Sequence, residues 1–152
     1  MMKNVIQLVE EITPLRPPSL FIDRLLEMEP GVRTKALKNI TINEAYFMGM
    51  PKEDMKMPEV KFIELFGQLG NVTFLSSELN RGRRFGMMTK IKTFSLYRQA
   101  VPGDTIIVEF VLNTIKRSTG MGKATAKIDG EVVCEAELIY IIDEQAELLH
   151  NK

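Results

Sequence analysis

The chain has 152 residues, 45% of them apolar and 26% charged, which suits one globular domain, 1–152, with a real hydrophobic core. Twenty basic residues cancel twenty acidic ones, so no charge bias points to nucleic acid or to an anionic membrane. The single cysteine, Cys134, excludes an internal disulfide, and with one histidine, His150, it cannot supply the ligand clusters that transition metals prefer.

Met1 to Glu11 carries one lysine and two glutamates and lacks the apolar run of a secretory leader. No stretch reaches the roughly 18 apolar residues of a membrane span. A soluble, cytoplasmic protein is the expectation. Val5, Leu8, Val9 and Ile12 recur at spacings of three and four, so residues 3–12 read as a short amphipathic helix. Thr13-Pro14 and Arg16-Pro17-Pro18 stop it. Leu20 to Met28 reads as a strand, Glu29-Pro30-Gly31 as a turn, and Val32 to Thr41 as a second strand. Residues 43–56 carry charges, Pro and Gly, and read as a long loop.

From Pro58 to about Leu79 the pattern is that of one long helix, apolar on most sides and therefore buried. Pro58 suits its first turn, where a missing N–H is no loss. Four strands follow: Arg84 to Leu96, Thr105 to Lys116, Gly122 to Asp129, and Glu131 to Ile142. Asp129-Gly130 between the last two is a strong hairpin signal. The polar tail, 144–152, is expected to fray. This order predicts an α+β fold: an antiparallel sheet curved around a single apolar helix.

Several fragments, in order and in register, carry a resemblance over roughly residues 5–142. They are Arg16-Pro17-Pro18 with Phe21-Ile22-Asp23-Arg24; Lys38 to Glu44 with Tyr46-Phe47 and Gly49; Met57-Pro58, Val60, Ile63-Glu64 and Gln68; Val101-Pro102-Gly103-Asp104; and Gly122-Lys123-Ala124 with Asp129-Gly130 through Leu138. The chain thereby resembles the β-hydroxyacyl-acyl-carrier-protein dehydratases of type II fatty acid synthesis, of the FabZ/FabA type, which have the hot-dog fold. The resemblance implies a site shared between two subunits, a histidine from one and a helix carboxylate from the other. It implies too that helix N-terminal amides polarise the thioester carbonyl.

Glu64 holds the carboxylate position, and Gly49, Met57, Pro58, Glu59 and Gln68 hold the substrate-binding framework. At the family's histidine stands Met50, which cannot take or give a proton. The following Phe-Pro is Pro51-Lys52, the glycine after Met-Pro is Glu59, and a second, early family histidine is Leu15. Losing an acid–base partner typically slows such a reaction by about 10²–10⁴-fold. Glu53 and Asp54, within the same loop, are the candidates to substitute for that base, although both sit several residues from the expected point.

Two readings of Glu64 stand, a structural hydrogen-bonding residue and a substrate-pocket residue. Met48, Met50, Met55 and Met57 read either as the lining of an acyl tunnel or as dimer packing. Arg83, Arg84 and Arg98 read as a docking face for an acidic carrier protein or as a solvated strand face. The implied ligand is an acyl-carrier-protein or coenzyme A thioester, with no cofactor and no metal. The implied assembly is a homodimer or larger, or a heterodimer with a histidine-bearing paralogue. The expected function is acyl-thioester binding by a subunit impaired or inactive alone, with two alternatives: a dehydratase using another base, and a purely structural subunit.

Overall fold

The computed structural model describes residues 5–116 and 118–151. Helix α1 spans Val5–Ile12 and is closed by Thr13, whose N–H and hydroxyl both donate to Val9 O. Strands β1 (Arg24–Glu29) and β2 (Arg33–Asn39) follow, then the long loop, then helix α2 (Glu59–Leu75). Strands β3 (Gly86–Leu96), β4 (Thr105–Lys116), β5 (Thr119–Ile128) and β6 (Glu131–Ile142) complete the sheet, and helix α3 (Glu144–His150) follows. The six strands lie in the order β1-β2-β4-β5-β6-β3, every neighbouring pair antiparallel. The curved sheet wraps α2, as expected of a hot-dog fold. Asp129 and Gly130, both at positive φ, make the β5–β6 turn.

The sheet accepts the helix because its inner face is hollowed opposite it. Along β5 the first four buried positions, Gly120, Gly122, Ala124 and Ala126, are all small, and only the last, Ile128, is bulky. A Cβ on Gly120 would meet the Phe74 ring, and one on Gly122 the Phe110 ring. On the helix side, Gly70 faces Tyr140 so closely that a Cβ there would overlap its hydroxyl. That hydroxyl is buried and donates to Phe66 O at 3.0 Å, with Gly67 O at 3.3 Å.

Several boundaries differ from the sequence expectation. Strand β5 begins at Thr119, not Gly122, because the ladder with β4 and β6 continues to Lys116 and Ile141. At the others a side chain takes over backbone hydrogen bonds. Strand β1 begins at Arg24, not Leu20, because the chain before it is stitched to α2. Gln68 Oε1 accepts from Phe21 N at 2.8 Å, and Gln68 Nε2 donates to Ser19 O at 2.8 Å. Helix α2 stops at Leu75, not Leu79, because Ser77 Oγ and Asn80 Nδ2 both donate to Phe74 O. The tail expected to fray forms α3 instead. Asp143 caps it by accepting from Ala146 N. The buried Glu147 carboxylate accepts from Arg84 N and Phe85 N, so β3 starts only at Gly86.

Two outcomes test this packing. In an exposed helix Gly→Ala gains up to about 1 kcal/mol, but Gly70→Ala is expected to lose about 1–3 kcal/mol through overpacking, read as a lower midpoint in urea. Gln68→Leu keeps the volume and strands Phe21 N–H and Ser19 O, so it is expected to lose on the order of 1–3 kcal/mol for each group left unpaired. A midpoint unchanged in either variant refutes the corresponding contact.

Candidate active site

The loop before α2 is held by its own short turns. Phe47 is buried and anchors a single 3-10 turn, Ala45–Phe47. Met48 beside it is 83% exposed. Gly49 sits at φ +79°, a backbone that glycine adopts without strain. Met50 donates its N–H to Phe47 O at 3.0 Å and packs against the hydrophobic core. Lys52–Asp54 makes a second 3-10 turn, and Glu53 and Asp54, the candidate substitutes for the base, lie exposed on it. Met57 is fully buried, with its N–H on Ala100 O at 2.8 Å. Pro58 is the N-cap of α2 and offers no side-chain cap. A helix leaves its first N–H groups without intrahelical partners, and Glu59 opens this one from an exposed position.

The next turn of α2 gathers the polar chemistry. Lys61 Nζ lies 2.6 Å from Glu64 Oε2, and Gln68 Nε2 lies 3.5 Å from Glu64 Oε1. The Lys61 ammonium also stands over two aromatic faces, 5.4 Å from the Phe21 ring centre and 5.8 Å from that of Tyr46. Lys38, at the end of β2, approaches Phe21 as well, at 4.9 Å, and pairs with Asp23 at 3.3 Å and Glu44 at 3.0 Å. The Tyr46 hydroxyl is buried and has no hydrogen-bond partner among the described residues. Burial, with the Glu44, Asp23 and Glu64 charges nearby, pushes its proton affinity far up, so the phenol stays neutral.

The structure therefore brings Glu64 and Gln68 together and adds Lys61 and Tyr46, which sequence reasoning passed over. The signal for Lys61 was present. Between Val60 and Leu75 it is the only charged residue besides Glu64, and the pair has the i,i+3 spacing at which helical side chains meet. Tyr46 carried no signal beyond its aromatic character. The Lys61–Glu64 pair adds little stability: the two side chains are 29% and 35% exposed, and such pairs contribute under about 1 kcal/mol.

The other expected residues lie elsewhere. Arg83 pairs with Glu144 at 2.9 Å, and Arg98 contacts Asp104 at 3.1 Å. Arg84 donates to Glu10 O at 3.0 Å and so ties β3's approach to α1. Arg83 and Arg84 line a cleft of about 420 Å³ with Ile12, Met28, Leu75 and Arg81. His150 sits exposed on α3, its ring 5.3 Å from that of Phe85. Burial pushes the Cys134 thiol up to about 12, so it is no thiolate nucleophile. Among the described residues no group of three or more His, Cys, Asp and Glu side chains is placed to hold a metal ion. Among them, too, no helix is long and apolar enough to cross a membrane.

Comparison with known proteins fits this geometry. A family model for a FabA-like domain matches residues 13–137. The 3-hydroxyacyl-[acyl-carrier-protein] dehydratase FabZ of Bacillus licheniformis is 40% identical over 141 residues, covering 93% of this chain and 97% of that one. Among solved structures, the dehydratase heterocomplex ApeI:P from Xenorhabdus doucetiae matches with a TM-score of 0.77 at 12% identity, covering 99% of this chain and 97% of that one. A hypothetical thioesterase from Streptococcus pneumoniae with coenzyme A matches with a TM-score of 0.62 at 11% identity, covering 80% and 88%. Those two likenesses show the shared hot-dog fold. With the family model over most of its length and a close relative end to end, the chain belongs to the FabA-like family, as a FabZ-like member of the 3-hydroxyacyl-acyl-carrier-protein dehydratases.

Proposed function

We propose that this chain binds 3-hydroxyacyl thioesters and contributes Glu64 to a dehydratase site whose imidazole comes from a histidine-bearing partner. One observation carries the reading. The helix carboxylate is kept, partly exposed and hydrogen-bonded in place, while Met50 stands where the resemblance puts the histidine. The chain's own histidine is on α3 against Phe85. Dehydration needs both a proton acceptor and a proton donor, so a chain with this site is half of one.

The sheet edge supports a partner. Strand β3 is an edge strand of 11 residues with exposed Met87 and Ile91, and its outer side presents unpaired backbone groups. A second hot-dog chain pairs along it, as a homodimer, a heterodimer or a larger assembly. That ApeI:P is by name a dehydratase heterocomplex agrees with two unequal subunits. Substrate thioester, on acyl carrier protein or coenzyme A, enters with its carbonyl toward the opening amides of α2, where partial positive charge favours a developing enolate. Gly49, Met57, Pro58 and Glu59 shape that approach. Arg83 and Arg84 stand before β3 and Arg98 after it, each already engaged within the chain, so they form no single basic face for the carrier.

A complementation assay tests this. A histidine-bearing family member has its own helix carboxylate replaced, so that its homodimer is dead, and is co-purified with this chain. A 3-hydroxyacyl carrier-protein thioester is followed by mass spectrometry for loss of water. Turnover is expected in the mixture and not in this chain alone, and is expected to fall about 10²–10⁴-fold with Glu64→Gln here. Turnover by the isolated chain, lost with Glu64→Gln, establishes an enzyme with its own base instead. Turnover in neither establishes a structural subunit.

A further inference from the structure

We propose that Lys61 is the proton donor to the leaving hydroxyl in this site, with Glu64 holding it in place. The inference rests on the composite site just described and assigns the acid within it. An ionised carboxylate only accepts hydrogen bonds, whereas an ammonium has three N–H donors and no acceptor. In the 2.6 Å contact between Lys61 Nζ and Glu64 Oε2, the proton available for transfer is therefore on the lysine side. That contact uses one donor. Among the described residues the Lys61 ammonium makes no other hydrogen bond, and its side chain is 29% exposed, so the rest of the ammonium is open to a ligand.

Its surroundings fix where it points. The ammonium stands over the Phe21 and Tyr46 rings, and Phe21 is itself tied to α2 through Gln68. The salt bridge contributes too little stability to explain why a lysine stands on this half-exposed face of α2 beside Glu64 and Gln68. Two cations, Lys38 and Lys61, share this corner with three carboxylates, Asp23, Glu44 and Glu64. Lys38 is buried and occupied by two of them, which leaves Lys61 as the accessible donor.

The step balances. The partner's imidazole takes the C2 proton, and that bonding pair becomes the C2–C3 double bond. The C3–O bond breaks with its electron pair on oxygen, which takes a proton from Lys61 and leaves as water. An enoyl thioester, an imidazolium and a neutral Lys61 amine remain. The imidazolium proton returns to the amine through solvent and resets the site.

The test uses the complementing complex and two readouts. Dehydration needs base and donor. Exchange of the C2 proton of a saturated acyl thioester into heavy water needs only the base. Lys61→Met is expected to cut dehydration about 10²–10⁴-fold and leave exchange unchanged. Lys61→Arg keeps the charge and the salt bridge, but a guanidinium does not give up its proton, so it is expected to be as slow as the Met variant. Lys61→Cys alkylated with 2-bromoethylamine restores an ammonium and is expected to recover activity. Full dehydration in Lys61→Met or in Lys61→Arg overturns the assignment. Loss of exchange together with dehydration overturns it too, since Lys61 is then merely structural. A parent complex that neither dehydrates nor exchanges refutes the composite site itself.

Discussion

The structure depends on how closely α2 approaches the sheet. A helix that is apolar on most sides needs a trough, and the trough exists because β5 presents glycine and alanine inward where bulky residues would fill it. Phe74 and Phe110 occupy the space so released. Two points are very close, Gly86 of β3 against Asn71 and Gly70 against Tyr140. The second pair carries a buried hydroxyl. There the only polar atom of a fully buried ring finds carbonyl acceptors on the helix it presses against, so burial of a hydroxyl brings no unsatisfied group. Sheet curvature, helix position and the burial of Tyr140 are one arrangement. A change at any of the three strains the others.

That arrangement also decides where chemistry can sit. The C-terminal half of α2 is enclosed, with Leu69, Val72, Thr73, Phe74 and Leu75 all buried. Thr73 even spends its hydroxyl on Thr34 of β2 and on Leu69 O, a link that locks the helix register against the sheet. No charge is tolerable there, and none occurs after Glu64. The N-terminal two turns bury Phe62 and Leu65 but leave their other side open, and all three charged residues of α2, Glu59, Lys61 and Glu64, fall in them. The same end carries the helix's open amides. Polarity along this helix is therefore a gradient set by burial, and the candidate site falls at its more exposed end.

Most of the architecture was legible from the sequence, because long periodic elements and a β5–β6 turn at Asp129-Gly130 are local signals. What escaped was set by side chains reaching across the fold. Gln68 and Phe21 are 47 positions apart, and nothing near Leu20 reveals that its neighbours' hydrogen bonds go to a helix and not to a strand. Glu147 lies 63 positions from Arg84, so the tail looked merely polar until its carboxylate was seen capping two amides. At the site, Glu64 and Gln68 were readable from spacing and resemblance. Lys61 was readable from spacing alone but stood inside a run judged by its apolar members. Tyr46 was not readable, since an orphaned hydroxyl is a property of three-dimensional surroundings.

The corner around Phe21 shows why stability does not account for these residues. Lys38 is buried, and removing a buried charge from water is costly unless partners repay it. Asp23 and Glu44 do so, and in satisfying Lys38 they also fix the segment from Asp23 to Phe21 and the turn that carries Tyr46. The price of one buried cation thus holds both aromatic faces in place. Lys61 then rests on those faces, and its contact with Glu64 is short although both side chains remain partly in solvent. A half-exposed pair gains little from being so well aimed. Orientation that folding does not reward is what a binding or catalytic group requires. The buried support beneath this pair and the exposure of the pair itself are arranged as such a group would need them.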